Sequence, residues 1–212
     1  MAQASVALAQ ARTLLNDDLA TVWTDAALLP KLQIAHQEIQ SALWAVGSPV
    51  VREESYYNTG MILVNIGDLN LGANQPTDLL APTKLFEWDW ATGPVFTNPI
   101  EMTEVFFIPS GVAQSAKLLY WCWKEELITF LGSTAKRGIS IQYRKLLTVP
   151  TLTTSELGIA FAESYIGPRV AALAAGSVGN DNVLKIATEM AATNFAKVLA
   201  VNRGQQKPSD RP

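Results

Sequence analysis

This chain is poor in the residues that do chemistry. His36 is the only histidine and Cys122 the only cysteine among 212 residues. A lone cysteine excludes an internal disulfide, so nothing here calls for an oxidising compartment. One histidine and one cysteine fall short of a zinc ligand set. No loop carries the alternating acids that a calcium loop needs. Charge is scarce as well: charged residues are 17% of the chain and the net charge is −3. Without a basic excess the chain is a poor coat for nucleic acid, which is bound by displacing counterions. No run reaches the ~18 apolar residues of a bilayer span. Met1–Leu15 is Ala-rich and broken by Gln3, Gln10 and Arg12, unlike a signal peptide. The expectation is a protein that is not an enzyme, with no cofactor, no metal and no membrane segment.

What the chain does have is apolar substance, 49% of its residues, with a mean hydropathy of +0.14. That is enough for a sizeable core, with apolar surface left over for neighbouring subunits. The apolar period changes twice. It is helical over Ala4–Val46, strand-like over Met61–Leu147, and helical again over Thr154–Arg203. This predicts an α+β fold: a helical bundle from the N- and C-terminal arms (residues 1–54 and 151–204) with an inserted antiparallel β-rich block (55–150). A flexible C-terminal tail (205–212) follows.

In the first arm, Ala4, Ala7, Leu8, Ala11, Leu14 and Leu15 share one face of a short helix. Thr24 is placed to cap a second helix, with Asp25 at its positive end and a stripe of Leu28, Leu32, Ala35, Ile39 and Leu43. Gly47-Ser48-Pro49 stops it. The block's strands are predicted at Met61–Ile66, Leu85–Trp90, Val105–Pro109, Leu118–Trp123, Leu127–Leu131 and Ile139–Arg144. The last three form two consecutive hairpins, and Ile139–Arg144 alternates as a half-buried strand does. In the second arm, Thr153 and Glu156 have capping-box spacing. Gly167-Pro168 interrupts the first helix, Asp181 is placed to cap the last, and Gly204 stops it.

The candidate reactive residues read blandly. His36 is expected to be an exposed or interfacial helix residue, and Cys122 a buried strand thiol. The acids Glu53, Glu54, Glu87, Asp89, Glu101, Glu104, Glu125 and Glu126 include no evident pair set across a sugar, the arrangement a glycosidase needs. Gly176–Gly179 lacks the lysine of a phosphate loop. The tryptophans carry more weight. Trp88 and Trp90 share one parity, Trp121 and Trp123 another, and large rings with one donor suit interfaces.

Three stretches carry a resemblance. Thr24–Gln40 opens with Leu28-Leu29-Pro30 and closes with Glu38-Ile39-Gln40. Asp78–Trp88 is a proline followed by a strand. Leu118–Arg144 is a hairpin series leading into the threonine-rich Thr148–Ala175. Together they resemble the head-to-tail adaptor (connector or neck) proteins of tailed bacteriophages. The resemblance implies a structural virion protein of the neck, made in the host cytoplasm. Its subunits form a ring, twelve-fold in the family pattern, between the portal protein and a tail or tail-nozzle protein, and DNA passes the lumen unbound. On that reading Arg203, Lys207 and Arg211 are candidates for portal binding, and Trp88, Trp90, Trp121 and Trp123 for the subunit interface. The alternatives are a virion-associated glycan hydrolase using paired carboxylates, and a tryptophan-rich ligand-binding module.

Overall fold

The computed structural model describes residues 2–54, 62–90, 98–108 and 111–203, apart from the side chain of Glu54. The fold is mixed α+β, as the pattern predicts. The chain divides into a helical unit, made of residues up to Val51 and from Leu147 onward, and a β unit, Arg52–Leu146.

The helical unit has four helices: α1 (Ala4–Leu14), α2 (Asp25–Ala45), α3 (Glu163–Ser177) and α4 (Asp181–Asn202). The stripes of α1 and α2 are buried where the spacing puts them, with Leu28, Leu32, Ala35, Ile39 and Leu43 all in the core. Thr24 caps α2, its side chain accepting from Ala27 N at 3.3 Å. Asn180, rather than Asp181, caps α4, accepting from Val183 N at 3.2 Å.

The entry to α3 differs from the sequence reading. Residues 151–162 are not helical. Instead of joining a capping box, Glu156 bridges to Gln3, and Ala4 N and Leu157 N bond Ser155 O and Ala2 O. The first residues of the chain are thereby tied to the segment before α3. Gly167 and Pro168 lie inside α3. A proline there leaves the carbonyl of Ser164 without its helical N–H. Asn194 of α4 supplies the replacement, its Nδ2 donating to Ser164 O at 2.8 Å. Gly167 marks a close approach: a Cβ there would stand 2.8 Å from Gln10 Cβ and 3.1 Å from Ala7 O of α1.

The turn between α1 and α2 is organised by one carboxylate. Asp17 Oδ1 accepts from Thr21 N and Oγ1 at 2.9 and 2.6 Å, and Oδ2 from Val22 N at 3.0 Å and from Trp23 N. The Thr21 hydroxyl, and then these backbone donors, hold the Asp17 pKa down at about 2, against an ordinary 3.8. A folded-state pKa below the unfolded one stabilises above the unfolded value, and that increment is lost as pH falls through the folded value. Asp17→Asn is therefore expected to lower the melting temperature at neutral pH. The gap to wild type should close as pH falls from 3.8 toward 2. Melts across that range check it, and a gap independent of pH would refute it.

The β unit has two sheets. In the larger, β8 (Arg137–Lys145) is central. β3 (Leu79–Asp89) runs along one edge of it and carries β4 (Ile100–Glu101) on its far side. The other edge of β8 is shared by β1 (Arg52–Glu54) and β2 (Ile62–Val64). The smaller sheet joins β5 (Thr103–Glu104), parallel to β6 (Tyr120–Lys124), with β7 (Leu127–Phe130) antiparallel to β6. Only the first of the two predicted hairpins forms. β6 and β7 turn through Glu125 and Glu126, both at positive φ, as a two-residue hairpin turn requires. β7 and β8 belong to different sheets. Arg137–Ile141 is buried throughout, not alternately, so both faces of β8 are covered over this stretch. The Val105–Pro109 strand does not form among its described residues, 105–108. Met61, Pro109 and Gly204 lie outside the described residues.

Candidate functional site

Trp88 and Trp121 are buried in the β unit, so neither offers a surface to a neighbouring subunit. Trp88 faces Gly138 across the β3–β8 ladder, where a Cβ would fall 2.3 Å from the indole. The ring occupies the place of that missing side chain. Trp90 and Trp123 are half-buried. With two of four rings in the interior, the four do not make an aromatic platform. Arg203 is exposed at the end of α4, whereas Lys207 and Arg211 lie outside the described residues.

His36 is fully buried, contrary to the exposed or interfacial position expected. Its Nε2 donates to Leu157 O at 2.9 Å, tying α2 to the segment before α3. Burial pushes its pKa below the usual histidine value, so the ring stays neutral. Cys122 is a buried strand thiol, its Sγ 2.7 Å from Thr129 Oγ1.

The carboxylates are spread over separate jobs. Glu53 pairs with Lys145 at 2.8 Å and Glu101 with Lys84 at 2.9 Å. Glu87 is buried, with its Oε2 2.6 Å from Arg137 Nε. Glu38, on α2, takes a two-pronged bond from Arg169 at 2.8 and 2.7 Å and a third from the Tyr165 hydroxyl at 2.9 Å, which fastens α2 to α3. The Arg169 guanidinium lowers the Glu38 pKa, and burial followed by the Glu38 bond raises that of Tyr165. Among the described residues, no group of three or more His, Cys, Asp or Glu is placed to hold a metal ion, and no helix is long and apolar enough to cross a membrane.

Two apolar features stand out instead, and neither was read from the sequence. Phe106 is 99% exposed and Phe107 68%, side by side in the segment that follows β5. On the helical unit, α1, α3 and α4 frame a groove of about 520 Å³, lined by Val6, Ala9, Leu14, Pro168 and Met190 among others. Beside Met190, Ile186 is also exposed. The sequence signal for the first was the apolar run Val105–Ile108, which reads equally as a buried strand. For the second it was the set of apolar residues on α1 and α4 that fall off the core stripes. The chain matches no known family model and no curated protein.

Proposed function

We propose that this protein is a head-to-tail adaptor of a tailed bacteriophage, a ring-forming structural subunit between the portal and the tail. The observation that carries the reading is the topology. A helical unit built from both arms of the chain, with a β unit inserted after α2, is the organisation that the apolar period predicts and in which the resembling stretches lie. The first of the resembling stretches, Thr24–Gln40, lies in α2 and its cap. Apolar side chains left on the surface suit a subunit that neighbours cover. A ring lumen of low positive charge lets DNA slide, because unneutralised phosphate is not held.

The portal contact falls to Arg203 and to Lys207 and Arg211 beyond it. Arginine pairs bidentately with carboxylates, and a polar arm suits docking into an acidic groove. Deleting the residues after Arg203 is expected to leave a folded protein that no longer joins portal-bearing heads to tails, so that infected cells accumulate filled, tailless heads in electron micrographs. Replacing His36 by Gln and Cys122 by Ser should leave particles infectious, apart from some loss of stability. Normal head–tail joining in a phage lacking the whole chain would overturn the reading. Joining by the truncated form would move the portal contact onto the helical unit.

A further inference from the structure

Phe161, in the segment before α3, stands in the left-handed region of the backbone at φ +57°. Glycine and asparagine take that conformation readily, whereas a bulky side chain is crowded there. Gly158, three residues earlier, has nearly the same φ, +66°, and is the residue suited to it. Core packing of the ring would offset the strain at Phe161. The ring has no such place: the residue is 63% exposed, while Ile159 and Ala162 around it are buried.

The conformation is fixed by hydrogen bonds on both sides. Asn202, buried in the last turn of α4, pairs with both backbone groups of Ala160. Its Oδ1 accepts from Ala160 N at 3.2 Å, and its Nδ2 donates to Ala160 O at 2.9 Å. On the other side, Phe161 O accepts from Ser164 N at 3.2 Å and from Ser164 Oγ at 2.8 Å, at the entry to α3. All of these bonds are made by backbone atoms of the turn, so the Phe161 side chain is not needed for any of them. A strained residue whose side chain adds little to its own fold points to a binding role.

We propose that Phe161 is an apolar anchor for the portal protein, seated in a hollow beside the carboxylates that receive Arg203. The inference rests on the adaptor reading and adds an aromatic to its portal contact. Placement within the helical unit selects this partner. The bonds between Asn202 and Ala160 put Arg203 one residue beyond one member of the pair and Phe161 one residue beyond the other. The two therefore share one corner of the unit, the corner at which residues 204–212 begin. Arg203 is exposed and makes no ion pair among the described residues. Aromatics and arginine are enriched together in protein interfaces. A partner that answers both presents carboxylates around an apolar hollow, and Lys207 and Arg211 call for the same carboxylates. A bare phosphate surface would meet the arginine and leave the ring in water.

The test uses the full chain and two variants, Phe161→Asn and Phe161→Gly, both suited to the local backbone. Melting followed by circular dichroism reads the strain. Phe161→Asn is expected to melt about 2–4 °C above wild type, because crowding is relieved and little packing is lost. Binding is read as the chain concentration that half-saturates portal-bearing heads, purified from cells infected by a phage lacking the chain. Each variant is expected to need about tenfold more chain than wild type, or worse. The expected pattern is thus a more stable chain that attaches less well, which a purely structural role for the ring would not give. Either variant half-saturating at the wild-type concentration would overturn the proposal and leave the adaptor reading standing. So would a Phe161→Asn melting temperature at or below wild type, which would mean that the ring packs within its own chain. Wild-type chain that fails to bind the heads at all would overturn the adaptor reading itself, and this inference with it.

Discussion

Arg137→Ala is expected to cost the β unit about 3–5 kcal/mol, the usual loss when one partner of a buried ion pair is removed. The side chains of Glu87 and Arg137 are 0% and 5% exposed, 2.6 Å apart. The Glu87 Oε2 also accepts from Leu118 N at 3.3 Å, whereas its Oε1 has no partner among the described residues. Without the guanidinium, a buried carboxylate keeps one backbone donor. The pair also fixes register. Glu87 stands opposite Ile139 and Asp89 opposite Arg137, so the bond runs diagonally across the β3–β8 ladder. A slip of one residue would send every side chain of β3 to the other face and break the pair. Urea titration followed by tryptophan fluorescence checks the loss, with Trp88 packed on Gly138 as the reporter. Replacing both partners together, Glu87→Leu with Arg137→Met, should recover most of the stability, because the uncompensated charge is gone. A loss below ~1 kcal/mol for Arg137→Ala would mean that water reaches the carboxylate.

Leu32→Ala and Ile39→Ala are each expected to cost the helical unit about 2–5 kcal/mol, through lost burial plus the cavity left behind. Both residues are fully buried in α2, in a core they share with Leu8 of α1 and Ile166 and Val170 of α3. Ile34, two positions after Leu32, is 47% exposed, and Ile34→Ala should change stability by no more than ~0.5 kcal/mol. Chemical denaturation of the three variants measures the contrast. Equal losses at all three positions would contradict the placement of the stripe.

That contrast marks what the sequence makes legible. In α1 and α2 the periodic stripe, the Thr24 cap and the Gly47 stop all act within a few residues, so local reading finds them. The same stripe held the clue to His36, which stands four residues after Leu32 and three before Ile39. Its polarity argued for the surface, and the carbonyl to which its Nε2 donates, that of Leu157, is 121 residues away. Pro168 misleads for a similar reason. A proline within a helix reads as a break unless the freed carbonyl finds another donor, and here that donor comes from Asn194 on α4. In the β unit, two short strands separated by a glycine-bounded turn imitate a hairpin. Gly132, at φ +65°, packs instead against Asp68 O and the side chains of Leu69 and Gln114, and the chain passes to the other sheet. The candidate surfaces were the least legible part. A Phe-Phe pair carries the same composition in a core as on a loop, and only the tertiary fold separates the two.

The tie between Ala2–Ala4 and Ser155–Leu157 has a consequence for synthesis. Ala2–Ala4 leave the ribosome well before their partners and find them only after the whole of Arg52–Leu146 has followed. At about 5–20 residues per second, the roughly 150 residues that separate the partners take on the order of 8–30 s. During this time, α1 and α2 carry an uncovered apolar stripe, while the β unit waits for its central strand β8, the last of the described strands to be made. Strand β8 still precedes α3, so the last strand of the β unit is made before the helices that complete the helical unit. In that interval the exposed stripe of α2 is a natural target for a chaperone.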